Sequence, residues 1–360
     1  MSSARLARLP RKRDAFANPT MNPITPVQTD DVNALLSRIP QGQHADWDLQ
    51  FPIAQDIIDA VQCCFSEQGI WPISFSYPKP PLSMAAAKTE LISAIRPGAA
   101  YSFDDEDEYL RTYASAHFSV THRKAGWDCF RHLEILAAGS LPLMVDAHDI
   151  PRHSLVHYPK AAMRGVLDHV SHSGDIAPAW VGMAFREHFT SHLTSEAMAR
   201  YLLEASGLQG AERVLFVDAQ LPLSPDYQSV LALIGLKQLL GANCQSMYPA
   251  SYIYEGNAYS RDLYGRGFGY TSVVPMTSRS SQERQSHSRS LKRELRAGRF
   301  DAVVIGSIAR NCPLALRILK DFPAEQTVWI HGEDAPPSES QMEFLRNSGP
   351  KTFVRSVPGV

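Results

Sequence analysis

The sequence predicts an α/β protein of two Rossmann-like lobes that face each other across a cleft. Short apolar runs rich in β-branched and aromatic residues alternate with helical patterns in two separate stretches, the pattern of parallel sheets wrapped by helices. A length of 360 residues suggests about two domains. Hydrophobic residues at 44% against 20% charged supply a sizeable core, which excludes global disorder.

The elements follow in chain order. Residues 1–30 read as a disordered basic tail, because Arg5, Arg8, Arg11, Lys12 and Arg13 all precede the first acid, Asp14. Such a start also fits a transit peptide or an arm that touches phosphates, and Met21 is an alternative initiator. The first α/β lobe is assigned to 31–175. It opens with a helix over 53–65, where Ile53, Ile57, Ala60, Val61 and Cys64 form one stripe. A strand over 71–77 is closed by Pro78, Pro80 and Pro81, and a helix over 85–95 follows. The acidic run 104–108 starts a helix carrying Tyr109, Tyr113 and Ala116, with acids at the end that the helix dipole favours. Strands over 118–121 and 141–145 flank a helix over 127–138, which Gly139 ends.

Residues 176–209 read as a helical connector. The second lobe, 210–360, takes strands over 213–217, 301–305 and 327–330. Its helices cover 227–240, stopped by Gly241, and 314–321.

Composition removes several function classes. Lys+Arg 35 against Asp+Glu 37 leaves a net charge of -2, so any affinity for nucleic acid must come from a local patch. The five cysteines are odd in number and scattered, without CxxC or zinc spacing, so a reducing, cytoplasmic setting is expected and no structural metal. The apolar run 230–236 falls far short of the roughly 18 residues of a membrane span. No D-x-D in metal-site context, no HExxH, no GxSxG and no Walker A pattern occurs.

One biased segment stands out. Residues 277–299 hold Arg279, Arg284, Arg289, Lys292, Arg293, Arg296 and Arg299 against only Glu283 and Glu294. It is either a solvated loop leading into an exposed helix or a patch that faces phosphates.

The chemistry concentrates in 109–160. A strand ends at His122-Arg123-Lys124-Ala125-Gly126, which leads directly into a helix. Ligands of open parallel sheets bind at strand carboxyl ends, and a helix N-terminus there attracts anions. Arg123 and Lys124 add positive charge where a diphosphate would sit, and Gly126 lets a backbone or ligand come close. On the helix, Asp128, Arg131 and Glu134 are spaced by three and share a face. They read either as a solvated ion-pair face or as groups reaching for a nucleotide.

The stretch SAHFSVTHRKAGWDCFRHLEILAAGSLPLMVD resembles the nucleotide-sugar-binding half of exostosin-like and related GT-B glycosyltransferases. The matching positions are Arg123, Lys124, Gly126, Arg131, Glu134, Gly139 and Pro142, within about one seventh of the chain. The resemblance implies a GT-B-like architecture, with Glu134 holding the ribose and Arg123, Lys124 and Arg131 near the diphosphate. Two departures mark this chain. The donor-binding lobe comes first, which implies a permuted lobe order, and Gly126 to Cys129 (GWDC) forms an insert that leaves the acceptor unnamed.

In the second lobe, Glu333 and Asp334 follow a strand, where a general base would deprotonate an acceptor hydroxyl; Asp218 holds the equivalent place on another strand and is the rival. Ser307, Arg310 and Asn311 follow the strand 301–305 as a helix N-terminus facing the cleft. The loop 264–270 (YGRGFGY) is either an aromatic wall of a sugar or base pocket or a plain connection.

The expected activity is therefore metal-independent glycosyl transfer, with a nucleotide-sugar as co-substrate and no resident cofactor. The acceptor is a glycan, or a polyanion such as DNA with a hydroxylated base held by the 277–299 cations. The alternative is a nucleotide- or sugar-binding scaffold without turnover. An epimerase or dehydrogenase is disfavoured, since no strand is followed by GxGxxG.

Overall fold

A computed structural model describes residues 69–82, 88–98, 103–258, 262–284 and 288–357, together with Ser37, Trp47 and Leu49. The expected basic tail and the helix over 53–65 lie outside the described residues, as do Cys63 and Cys64.

The chain begins its described part with β1 (Ile70–Pro72). It then builds a small sheet from β2 (Glu90–Ile92), β3 (Ala116–Thr121) and β4 (Leu141–Met144), all parallel, in the order β2-β3-β4. Helix α1 (Glu106–Ala114) precedes β3, and α2 (Phe130–Ala137) connects β3 to β4. After β4 come α3 (Lys160–His172), α4 (Ala179–His188), a π-helical turn and α5 (Ser195–Ala205), so the stretch 176–209 is largely helical. Gly139 and Gly241 take positive φ (76° and 59°) at the two helix ends assigned to them.

The large sheet adds β5 (Val214–Val217), β6 (Cys244–Ser246), β7 (Ala302–Ile305), β8 (Thr327–His331) and β9 (Lys351–Val354). Its order is β1-β9-β8-β7-β5-β6, again all parallel. Helix α6 (Tyr227–Leu240) follows β5, while α7 (Ser281–Arg284) and α8 (Ser288–Arg296) precede β7. Helices α9 (Ile308–Ile318) and α10 (Glu339–Asn347) follow β7 and β8. A parallel sheet covered on both faces needs strands that are apolar throughout, and VLFV and AVVI meet that need. Alternate residues serve opposite layers: Val214, Phe216, Ala302 and Val304 pack towards α5 and α6, whereas Leu215, Val217, Val303 and Ile305 pack towards α8, α9 and α10.

The structure revises four elements. β1 begins the segment read as a strand over 71–77, yet it pairs with β9 in the large sheet rather than with the first lobe. Residues 90–92, expected within a helix over 85–95, form β2, because the edge of β3 offers its unpaired backbone groups. Lys88 secures the crossing by donating to the carbonyls of Ala114 (3.3 Å), Ala116 (2.9 Å) and Gly139 (2.8 Å). Ala116 opens β3 instead of extending the preceding helix. Helix α9 begins at Ile308 and runs through Pro313, forgoing one backbone hydrogen bond there, where a start at 314 was expected. Among the described residues no helix is long and apolar enough to cross a membrane.

Candidate functional site

The carboxyl ends of the two sheets meet. At the end of β3 the turn His122–Asp128 swings against the residues that follow β8, and the approach is close. A Cβ on Gly126 would lie 3.1 Å from Asp334 Oδ1 and 3.3 Å from the Asp334 carbonyl, so a side chain there would require Asp334 to give way. Asp128 reaches further across. Its Oδ2 accepts the Phe75 N–H (2.6 Å) beyond β1, and its Oδ1 accepts the Tyr158 hydroxyl (3.1 Å). Burial raises the Asp128 carboxyl to about 6, against the pull of the nearby Arg355.

Arg355, just past β9, is the hub of this junction and was not read from the sequence. It is 4% exposed. Its guanidinium donates to the Gly332 carbonyl (2.8 Å), the Asp128 carbonyl (3.0 Å) and the Asp334 carboxylate, and it lies over the Phe75 ring at 4.2 Å. The short strand before it offered too weak a pattern to place it.

On the small-sheet side, four candidates cluster around the start of α2. Its N-cap, Cys129, gives no side-chain cap, while the Cys129 carbonyl takes the His132 N–H (3.0 Å) and leaves the helix N-terminus facing the turn. Lys124 is exposed, while the Arg123 guanidinium lies over the Trp127 ring at 4.9 Å and the Arg123 backbone N–H donates to Asp146 Oδ2 (3.1 Å). Arg131 is largely enclosed, and its Nη1 makes no hydrogen bond among the described residues. Glu134, 7% exposed, accepts the Tyr109 hydroxyl at 2.8 Å. Burial raises its carboxyl to about 7; Tyr109 and Arg131 oppose the rise. Asp128, by contrast, is spent on protein partners and acts as a clamp rather than as a group reaching for a ribose.

A second polar cluster occupies the point between β5 and β7, where the strand order reverses and ligands of such sheets bind. Asp218 lies there fully buried, and all its acceptor positions are filled. Oδ1 takes Gln220 N–H (3.0 Å) and Asn311 Nδ2 (3.0 Å); Oδ2 takes Ser229 Oγ (2.6 Å) and Arg310 Nη2 (2.5 Å). A carboxylate so engaged has no lone pair for a proton from an acceptor, and Asp218 is an organiser rather than a base. Arg310 also donates to the Ser224 carbonyl (2.8 Å), which spends it on the protein instead of a donor phosphate. Ser307 occupies the N-cap position of α9 without capping it, and its buried Oγ has no partner among the described residues.

Glu333 stands between the two clusters, open to solvent. Partial enclosure and then the Asp226 carboxylate push its carboxyl up, while Arg355 and Arg310 oppose. The acids expected after β8 are thus adjacent to both halves of the site.

The glycine-rich loop divides in two. Phe268 and Tyr270 are buried in the core, and Glu106 receives Gly269 N–H (3.0 Å) and Lys79 Nζ (2.7 Å), so most of the loop is packing. Tyr264 alone stays outside, 64% exposed, its ring edge-on to Tyr227. The acidic run 104–108 caps and anchors α1, with Asp105 accepting Glu108 N–H (2.8 Å). Among the described residues no three His, Cys, Asp or Glu side chains gather as a metal site. Two surface hollows, of about 370 Å³ beside Gly210 and Leu240 and about 320 Å³ beside Met183 and Thr190, lie away from the strand carboxyl ends. No family model, no curated protein and no solved structure matches this chain.

Proposed function

We propose that the protein is a glycosyltransferase that takes its sugar from a nucleotide-sugar, with a GT-B-like placement of the donor on the small-sheet side and the acceptor beside β8. The observation that carries this reading is the junction itself: an uncapped α2 N-terminus with Arg123, Lys124 and Arg131 stands directly against the acids after β8. Three cations and a helix N-terminus stabilise a leaving diphosphate, on which charge grows as the bond to the sugar breaks, without requiring a metal. Glu333 takes the acceptor hydroxyl proton. The acceptor oxygen then forms the new bond to the anomeric carbon, and the nucleoside diphosphate leaves with the old bond's electron pair. A carboxyl raised by its surroundings suits a base working near neutral pH.

A thermal-shift panel of UDP-, GDP-, CMP-, TDP- and ADP-sugars tests the donor side. A ligand at about 100 times its Kd stabilises by about 2.7 kcal/mol. One nucleotide family is expected to raise the midpoint of wild type but not of Arg131→Ala; no shift with any of them would sink the proposal. The engagement of Asp334 by Arg355 favours a second reading, binding without turnover. Glu333→Gln separates the two: lost transfer with retained donor binding supports catalysis, whereas a wild type that binds donor and hydrolyses or transfers nothing supports the scaffold.

A further inference from the structure

We infer that the outer face of α8 is a docking strip for the phosphate backbone of a polynucleotide, a surface separate from the junction and independent of the transferase reading. The helix is anchored on one side only. Leu291 and Leu295, 1% and 4% exposed, pack into the layer beneath the large sheet. Arg289, Lys292, Arg293 and Arg296 are all exposed and stand at i, i+3, i+4 and i+7, which places them in one stripe on the solvent side.

The arrangement works against the helix that carries it. Every close pair within the stripe joins two like charges, and the first turn holds no acid to suit the dipole. A helix evolved only for solubility would alternate its signs. The segment does contain two acids, and both are turned away from the stripe. Glu283 is fully buried on Lys237 (2.8 Å), and Glu294 pairs with Arg213 (3.0 Å). Arg296 reaches Asp321 (3.1 Å), while Arg289, Lys292 and Arg293 have no acid partner among the described residues. With the whole chain at a net charge of -2, this is a concentrated local field on a near-neutral molecule.

The chemistry of the strip selects its partner. No apolar side chain stands between the cations, since both leucines point inward, so nothing is offered for insertion into a bilayer. No aromatic ring accompanies them either, so the contact is with phosphates and indifferent to base sequence. Seven residues of helix rise about 10 Å, which faces about three phosphates of one strand at about 3.4 Å per charge.

The test is fluorescence anisotropy of the full chain with a labelled DNA duplex of about 20 base pairs, read against salt. About three neutralised phosphates give a slope of log affinity on log salt near −3, so affinity falls about 40-fold between about 50 and 200 mM. The quadruple variant Arg289→Gln, Lys292→Gln, Arg293→Gln, Arg296→Gln is expected to lose most of that slope while its melting midpoint holds or rises. Should that variant fold poorly, Arg289→Gln and Lys292→Gln singly are each expected to lower the slope by about one. No duplex binding by wild type at about 50 mM salt overturns the inference. So does an unchanged slope in the variants, which would place the contact on the basic residues of 1–30. Binding to phosphatidylserine vesicles in preference to duplex overturns it as well.

Discussion

Glu134 shows how burial ties the charge of one carboxyl to the stability of the fold. Its carboxyl, raised to about 7 by burial, titrates near 4.3 when the chain unfolds. A folded value above the unfolded one means that the stabilising contribution is complete below about pH 4 and is lost as pH rises through about 7. Glu134→Gln keeps the shape and the Tyr109 contact but removes this loss. The variant is therefore expected to gain on wild type in thermal midpoint progressively from pH 5 to pH 8, measured by parallel melts in one buffer series. A constant difference across that range would show that the carboxyl is not held protonated in the fold. Position and spacing alone exposed Glu134 as a candidate; that a tyrosine from α1 holds it was invisible, because Tyr109 lies on another element and its hydroxyl points across the fold.

At the scale of elements, the approach of α5 to α6 depends on a missing side chain. A Cβ on Gly235 would lie 2.0 Å from the Ser195 carbonyl oxygen and 3.1 Å from the Ala199 Cβ. Alanine gains about 1 kcal/mol in helix propensity over glycine. A clash against backbone at the start of α5 costs more, because the helix has to move as a unit; overpacking of this kind costs about 1–3 kcal/mol beyond any gain. Gly235→Ala is expected to lower the calorimetric midpoint by about 1–4 °C. An unchanged or raised midpoint would mean that α5 is free to shift. Long elements with a clear stop, such as α6 with Gly241 at its end, were legible from sequence. Three-residue strands such as β2 and β6 were not, since so short a run carries no period and its state is set by the edge it finds.

The whole molecule carries several buried neutral histidines, and they govern its response to acid. Burial lowers His132 and His157 to about 3 and His188 and His331 to about 4. His132 is wedged in the β3–α2 unit: its Nε2–H donates to the Trp127 carbonyl (3.1 Å), and Nδ1 accepts from Thr121 Oγ1 (2.9 Å). Unfolded histidine titrates near 6.5, so the stabilising effect is complete above that value and is lost as pH falls towards the folded values. Asp128, Glu134, Asp146, Asp226 and Glu333 act in the opposite sense, while burial also lowers His117, His153, His169 and His192, so the imidazoles outnumber the carboxyls. For Asp128, Glu134 and the four deeply buried histidines alone, the balance near pH 5 is about two protons, or about 3 kcal/mol per pH unit. The denaturant midpoint is expected to fall steeply from pH 6.5 to 4.5. A flat profile there would contradict neutral burial of these rings.

The sequence by itself determined the class of the molecule: near-continuous apolar runs divided by helical patterns form only parallel sheets with helices on their faces. It also located the β3–turn–α2 unit with its cations, because helix starts and strand ends are written in neighbouring residues. Tertiary structure alone decided that β1 pairs with β9, across most of the chain, and that Arg355 links the turns after β3 and β8. It also decided that Asp218 and Arg310 satisfy one another instead of a ligand. Hydrogen bonding in the interior is settled by whichever groups the fold brings within about 3 Å, and no local pattern records which partner arrives.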